Sequence, residues 1–470
     1  MADAHPAPFP PDTTSRLGDA LRARCRDRRV PALSAAVGRA GEVAWAGTAG
    51  WSPADAGTVF RIGSITKPMT AVAVLRLVAA GRVGLNDPVG RHLPDAPAPD
   101  ATLAHLLTHT AGLPAEPPGP WWERHGAGSW DELVASGVTP VGQPGERHHY
   151  SNVGYAVLGR LLEEAHGRSW DAVLHDEVWA PLGMSATGRT PRGGAAAGYA
   201  VHPHADAVLA EPVAAYGAMG PAGEVWSTPS DLVRFGSWLV GATDGGDDVL
   251  PLGWRRRMAA PRAVVDDGEP FAAAWGLGVS VHHAAATGGS SARRTVGHGG
   301  SVPGFTATLR ADPATGEVVA VCGSSTAGFG DAAFLLDLLD EPGRGSGAAG
   351  GVDAEVFALT GTWYWGPTPY TLELRADGRL DLSAEGGRGT VFGRSADGGW
   401  IGVQGGYWWG ERLRPVTTGT PAQALDVGTF HLTRVPYDPA TPVPGGVDPA
   451  GWSAAGRAAG HDSAVQDTAG

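Results

Sequence analysis

The stretch FRIGSITKPMT, residues 60 to 70, holds the single lysine of a chain whose other 34 of 35 basic side chains are arginine. Arginine stays protonated at any ordinary pH, whereas burial and neighbouring charge can make a lysine neutral. A composition swollen with Ala, Gly and Pro accounts for the arginines and leaves Lys67 unexplained. Its type and spacing point to a base, and its partner is Ser64, three residues earlier. A serine hydroxyl that gives its proton to a neutral amine becomes a nucleophile for acyl transfer. Two further stretches supply what such a site lacks: YSN (Tyr150, Ser151, Asn152), just before a helical pattern, and HGG (His298, Gly299, Gly300), at the start of a strand pattern. Read singly, Tyr150 is a core tyrosine, Asn152 a helix N-cap and His298 a structural histidine.

The elements around these residues follow from periodicity. From Ser64 to about Ala80 the apolar positions Met69, Val72, Val74, Leu75 and Leu77 predict a helix closed by Gly81. Ser64 then sits at the helix N-terminus and Lys67 one turn on, on the same face. A helix is predicted over Val153 to Ala165, another in STPSDLVRFGSWLV capped by Ser227 or Thr228, and an N-terminal one with Leu17, Leu21 and Cys25 on its buried side. PALSAAVGRAGEVAWAGTAGW reads as two strands, and Trp275 to Ser325 as strands and hairpins. Strands at both ends with helices between predict an α+β domain whose antiparallel sheet is completed by its two termini, beside a helical subdomain. EPGRGSGAAGG, 341 to 351, is a linker by composition. Beyond it, short alternating runs between Gly-rich turns predict a small antiparallel β-barrel, and the Pro/Gly/Ala-rich stretch after Asp438 predicts a loose tail.

SITK, YSN and HGG, in this order, resemble the three motifs of serine β-lactamases and penicillin-binding proteins, with the Tyr-x-Asn form found in class C β-lactamases and related esterases and peptidases. LLTHTAGLP and PAGEVWSTPSDL resemble further stretches common in that family. The likeness implies a β-lactamase/transpeptidase-like catalytic domain over 10–340, the linker 341–351, a lipocalin-like barrel over 352–438 and the tail 439–470. It implies that Ser64 attacks a carbonyl, that Lys67 and Tyr150 move protons, and that Asn152 holds Lys67 and the substrate amide. The oxyanion would lie between the backbone N–H groups of Ser64 and Ser301. Gly299 and Gly300, lacking side chains, would let a substrate backbone approach. His298 stands where the family's third motif usually has Lys; it is a weaker fixed cation and a more versatile hydrogen-bond donor, which disfavours tight binding of a penicillin carboxylate. Trp226 is a candidate pocket residue, and Arg434 a candidate for meeting a substrate carboxylate or carbonyl. The tryptophans 121, 122, 226, 365, 408 and 409 otherwise read as core and barrel wall.

A formal charge of -13 excludes nucleic acid as the main partner. Cys25 and Cys322 form no disulfide framework or metal pattern and read as buried free thiols. No cofactor and no metal is expected. No run of about eighteen apolar residues and no export signal is apparent, so the chain reads as cytoplasmic, without a membrane partner, acting on a peptidyl or other acyl substrate, free or bound to a carrier protein. The resemblance points to a penicillin-binding-protein-type thioesterase that releases and cyclises a nonribosomal peptide. The alternative is a D-stereospecific peptidase, amidase or esterase; a catalytically silent peptide-binding module is the third reading.

Overall fold

The computed structural model describes residues 9–202, 204–205, 207–265, 273–284, 293–340, 353–375, 378–384, 388–395, 397–404, 407–416 and 424–436. The linker 341–351 and the tail 439–470 lie outside them. The described residues form two compact units, the first reaching Leu338 and the second beginning at Leu339.

The first unit is built on an eight-stranded antiparallel sheet. Its strands are β1 (Ala32–Arg39), β2 (Glu42–Gly50), β3 (Ala263–Val264), β4 (Ala273–Trp275), β5 (Ser280–Ala284), β6 (Arg293–Val302), β7 (Phe305–Ala311) and β8 (Val318–Gly323). The spatial order is β2-β1-β8-β7-β6-β5-β4-β3, so the two ends of the unit meet at the β1–β8 pair, with Leu33 opposite Gly323 and Gly38 opposite Val318. This is the closure expected from strands at both ends of the sequence.

Four helices are labelled here: α1 (Pro11–Asp27), α2 (Thr66–Ala79), α3 (Asn152–His166) and α4 (Pro229–Val240). Thr228 caps α4, its hydroxyl accepting from Asp231 N at 3.2 Å. This helix lies so close to the sheet that a Cβ on Gly236 would stand 2.6 Å from Val318, and one on Gly38 2.6 Å from Val233. Helix α2 is apolar nearly all round, the pattern of a helix with no wet face, and every residue from Thr66 to Leu75 is buried. Its first turn is pinned from outside: Thr70 Oγ1 donates to Pro221 O at 3.0 Å, and Val225 N donates to Thr66 Oγ1 at 3.3 Å. Those bonds bring the 221–225 segment alongside Lys67.

The second unit is a closed barrel of eight antiparallel strands running from Gly361–Trp365 to Phe430–Thr433, which pair with each other through Tyr364 and Thr433. Trp363, Leu372, Leu380, Leu382, Phe392, Leu425 and Leu432 fill its interior with no exposure to solvent. The tryptophans divide: Trp122, Trp226 and Trp408 are buried, whereas Trp121, Trp365 and Trp409 are exposed by 53%, 39% and 71%, so the core-and-wall reading holds for only half of them. Both cysteines are buried free thiols. Among the described residues, no helix is long and apolar enough to cross a membrane.

Candidate active site

Ser64 occupies a single 3-10 turn, Gly63–Ile65, that runs straight into α2, a turn tighter than the continuous α-helix expected. Gly63 has φ +52°, a left-handed conformation that suits glycine and turns the chain sharply before the nucleophile. Lys67, fully buried, follows one turn later, with its Nζ 2.8 Å from Ser64 Oγ. The same nitrogen donates to Asn152 Oδ1 at 2.6 Å and to Ala222 O at 2.7 Å. Both of these oxygens can only accept. A neutral amine has two N–H groups and one lone pair, so with both N–H groups engaged the lone pair faces the one partner able to donate, the Ser64 hydroxyl. Burial, with no counter-ion in hydrogen-bond reach, is the main cause that brings the Lys67 pKa down from 10.5 to about 7; the carboxylates of Glu116 and Glu123 push the other way.

Asn152 is aimed by its neighbours. The N-cap of α3 is Ser151, whose hydroxyl accepts from Gly154 N at 3.1 Å, so Asn152 is not the cap and its side chain is free for the site. Its Nδ2 donates to Glu116 Oε1 at 2.7 Å, which sets the amide with Oδ1 toward Lys67. The other Glu116 oxygen accepts from Trp122 Nε1 at 2.7 Å. Trp121 Nε1 donates to Glu123 Oε2 at 2.9 Å, and burial raises the Glu123 carboxyl pKa. Glu116 and Glu123 lie in the Pro/Trp-rich stretch between the motifs and carry no sequence signal beyond their charge.

Tyr150 packs with its ring centroid 4.9 Å from Lys67 Nζ. Burial pushes its phenol pKa well above the ordinary tyrosine value, against a hydrogen bond with Ser64. His298, on β6, is 3% exposed, and burial followed by the nearby Lys67 brings its pKa down to about 3. Its Nδ1–H donates to the Gly299 carbonyl, which leaves Nε2 as a buried acceptor without a partner. The expected weak cation and donor is therefore a neutral ring whose remaining polar atom accepts.

Strand β6 pairs with β5 only from Arg293 to Gly297, so from His298 onward that edge has no strand partner among the described residues. The edge lies against the nucleophile turn: a Cβ on Gly63 would stand 2.8 Å from Ser301 N, and one on Gly300 3.2 Å from Ser64 N. The backbone amides of Ser64 and Ser301 thus flank one contact, the arrangement a pair of oxyanion donors needs. The two glycines differ. A Cβ on Gly300 would meet Ile62 O at 1.9 Å, so this glycine is required by the protein's own chain, whereas Gly299 faces open space.

Two expected substrate contacts, Trp226 and Arg434, are engaged by other partners. Trp226 is 5% exposed, its ring edge-on to Phe305 with centroids 5.5 Å apart, because it sits in a short strand paired with Arg61. Arg434 follows the last barrel strand; its Nη1 donates to Thr360 O at 3.0 Å and Thr362 O at 3.2 Å, and its guanidinium stacks 3.8 Å above Trp363. It fastens its own barrel. Among the described residues no group of His, Cys, Asp or Glu could hold a metal.

A family profile described as Beta-lactamase matches residues 17–344, more than half of the chain. The chain belongs to the β-lactamase family. A second profile, a domain of unknown function (DUF7586), matches 352–434 of this β-lactamase-family chain. Its relatives include Esterase EstB of Burkholderia gladioli, 35% identical over 40% of this chain and 55% of that protein, so the likeness spans about half of EstB. Penicillin-binding protein 4 of Amycolatopsis lactamdurans is 30% identical over 60% of this chain and 76% of its own length. Among solved structures, a D-stereospecific amidohydrolase from Streptomyces sp. is 25% identical with a TM-score of 0.57, covering 67% of this chain and 95% of the other. SurE, 24% identical with a TM-score of 0.57, covers 90% of this chain and 99% of its own, a likeness of fold.

Proposed function

We propose that this chain is a serine acyl-enzyme hydrolase or acyltransferase. The observation that supports this best is the fully buried Lys67 amine, 2.8 Å from Ser64 Oγ, with its pKa near 7 and its lone pair toward the hydroxyl. Ser64 Oγ attacks the acyl carbonyl as its proton passes to Lys67 Nζ, and the backbone N–H groups of Ser64 and Ser301 receive the developing oxyanion. When the carbonyl–leaving-group bond breaks, Tyr150 gives its proton to the departing atom and regains one from Lys67. Water or an amine then attacks the ester carbonyl, Ser64 Oγ leaves, and the incoming nucleophile's proton returns through the same pair.

The acyl donor in this reading carries a D-configured residue, presented as an extended backbone along the open edge that starts at His298. The D-stereospecific amidohydrolase and a D-alanyl-D-alanine-carboxypeptidase/endopeptidase AmpH of Escherichia coli, 31% identical over 38% of this chain, support that choice. Its most specific form is release and cyclisation of a nonribosomal peptide held as a thioester on a carrier protein. Hydrolysis by a D-stereospecific amidase or esterase is the second reading, favoured by the likeness to EstB.

A fluorophosphonate probe tests the first claim. It is expected to label Ser64 in the wild type, with Lys67→Arg slowing labelling by about 100- to 10,000-fold because arginine does not release its proton. Equal labelling of a folded Lys67→Arg protein overturns the base assignment. A peptidyl N-acetylcysteamine thioester tests the specific form: linear acid as sole product, whatever the peptide length and terminal stereochemistry, refutes cyclisation.

A further inference from the structure

Tyr150 stands on a loop, between the turn at 143–147 on one side and the start of α3 on the other, and something must aim it. His109 grips that loop at three consecutive residues. Its backbone carbonyl accepts from His149 N at 2.7 Å. Its Nδ1 accepts from Ser151 N at 3.0 Å. Its ring stacks on the Tyr150 ring, with centroids 4.3 Å apart and planes 26° from parallel. The residue is 1% exposed and has φ +56°, a left-handed backbone that a non-glycine residue adopts at a cost of about 1–2 kcal/mol. A strained residue that makes three directed contacts to one short segment is doing more than filling space.

The ring is held in turn. Trp275 meets it edge-on at 4.8 Å, and Tyr155 lies at 5.1 Å. Because Nδ1 receives an N–H it carries the lone pair, which puts the ring proton on Nε2. Burial, reinforced by Lys67, His148, His298 and His149, holds the ring neutral, its pKa well below the ordinary value. The acceptor that grips Ser151 therefore persists through the working pH range.

We propose that His109 is the positioning residue for Tyr150, clamping residues 149–151 so that the phenol stays beside Ser64 and Lys67. The proposal rests on the reading of Tyr150 as proton donor to the leaving group. That dependence supplies a readout that packing alone would not move. A methyl ester must be given a proton as its alcohol leaves, whereas a p-nitrophenyl ester of the same acyl group departs as a stable anion. Loss of aim should hurt the first substrate far more than the second.

The test compares wild type, His109→Asn, His109→Phe and Tyr150→Phe on the methyl and p-nitrophenyl esters of one D-amino acid. Asn keeps an acceptor near the Nδ1 position and tolerates the left-handed backbone but lacks the ring; Phe keeps the ring and lacks the acceptor. His109→Phe is expected to lower kcat/KM, which reports acylation alone, by about 100-fold on the methyl ester and by less than about tenfold on the p-nitrophenyl ester. His109→Asn is expected to recover part of the difference. In both variants the alkaline limb of the pH profile should descend toward the ordinary tyrosine value of about 10 as water reaches the phenol. Should the Phe variant fail to fold, the Asn variant decides. Equal losses of kcat/KM on both esters, or none, in folded variants overturn the clamp while a damaged Tyr150→Phe keeps the proton-donor reading. Wild-type activity in Tyr150→Phe, or a wild type inert on both esters, refutes the underlying reading instead.

Discussion

Replacing Lys67 by Met should disarm the protein and stabilise it near neutrality. Burial brings the Lys67 amine down to about 7 in the folded chain, against 10.5 unfolded. At about 1.4 kcal/mol per unit this corresponds to roughly 5 kcal/mol by which the fold disfavours the ammonium. Between pH 7 and 10.5 the unfolded chain binds a proton here that the folded chain does not, so this group makes stability rise with pH across that window. Below it both states are protonated and the full penalty applies. Methionine has nearly the length of lysine and no charge to desolvate, but it leaves Ser64 Oγ, Asn152 Oδ1 and Ala222 O without the amine. At about 1 kcal/mol for each lost bond, the net gain below pH 7 is about 2 kcal/mol. Above 7 the penalty shrinks by about 1.4 kcal/mol per pH unit, so the sign reverses at roughly pH 8.5, and by pH 10.5 wild type buries a neutral amine at no charge penalty and keeps its bonds. Urea unfolding at about pH 6.5 and about pH 10 reads the two signs. A Met variant less stable than wild type at the lower pH, or a stability difference that does not change with pH, would refute the account of Lys67 as a strained neutral base.

The remaining expectations are quicker to state. Gly300→Ala should lose both activity and stability, since its Cβ would stand 1.9 Å from Ile62 O, whereas Gly299→Ala meets nothing and should fold as wild type; thermal unfolding of the pair checks this. Glu116→Gln removes a carboxylate that raises the Lys67 pKa, so the limb of the pH profile near 7 should move to lower pH; an unmoved or raised limb contradicts the assignment.

What the sequence made legible was the spacing along regular elements. Ser64, in the 3-10 turn, and Lys67, in the first turn of α2, lie three residues apart on one continuous helical path, so their contact is readable from that separation and an apolar pattern. The sheet closed by its own ends was readable from strands at both ends of the first unit. Contacts made by irregular chain were not readable. Ala222 O reaches Lys67 from a segment with no periodicity, and Glu116 reaches Asn152 from a Pro-rich loop. His109 reads in the sequence as one of several structural or surface histidines, because a histidine in a loop announces neither its backbone angle nor its stacking partner. The Gly300 error has a similar cause: a glycine beside a nucleophile suggests room for substrate, and only the position of Ile62 reveals that the room is already occupied. The carbonyls that receive Arg434 belong to residues more than seventy positions away in the chain, a pairing that no local pattern carries.

The seclusion of Lys67 has a spectroscopic consequence. Growing the protein with side-chain nitrogen-15 lysine would place its isotope at one atom, Nζ of the residue touching Ser64, so a magnetic-resonance titration of that atom would need no assignment and would follow the proton through acylation.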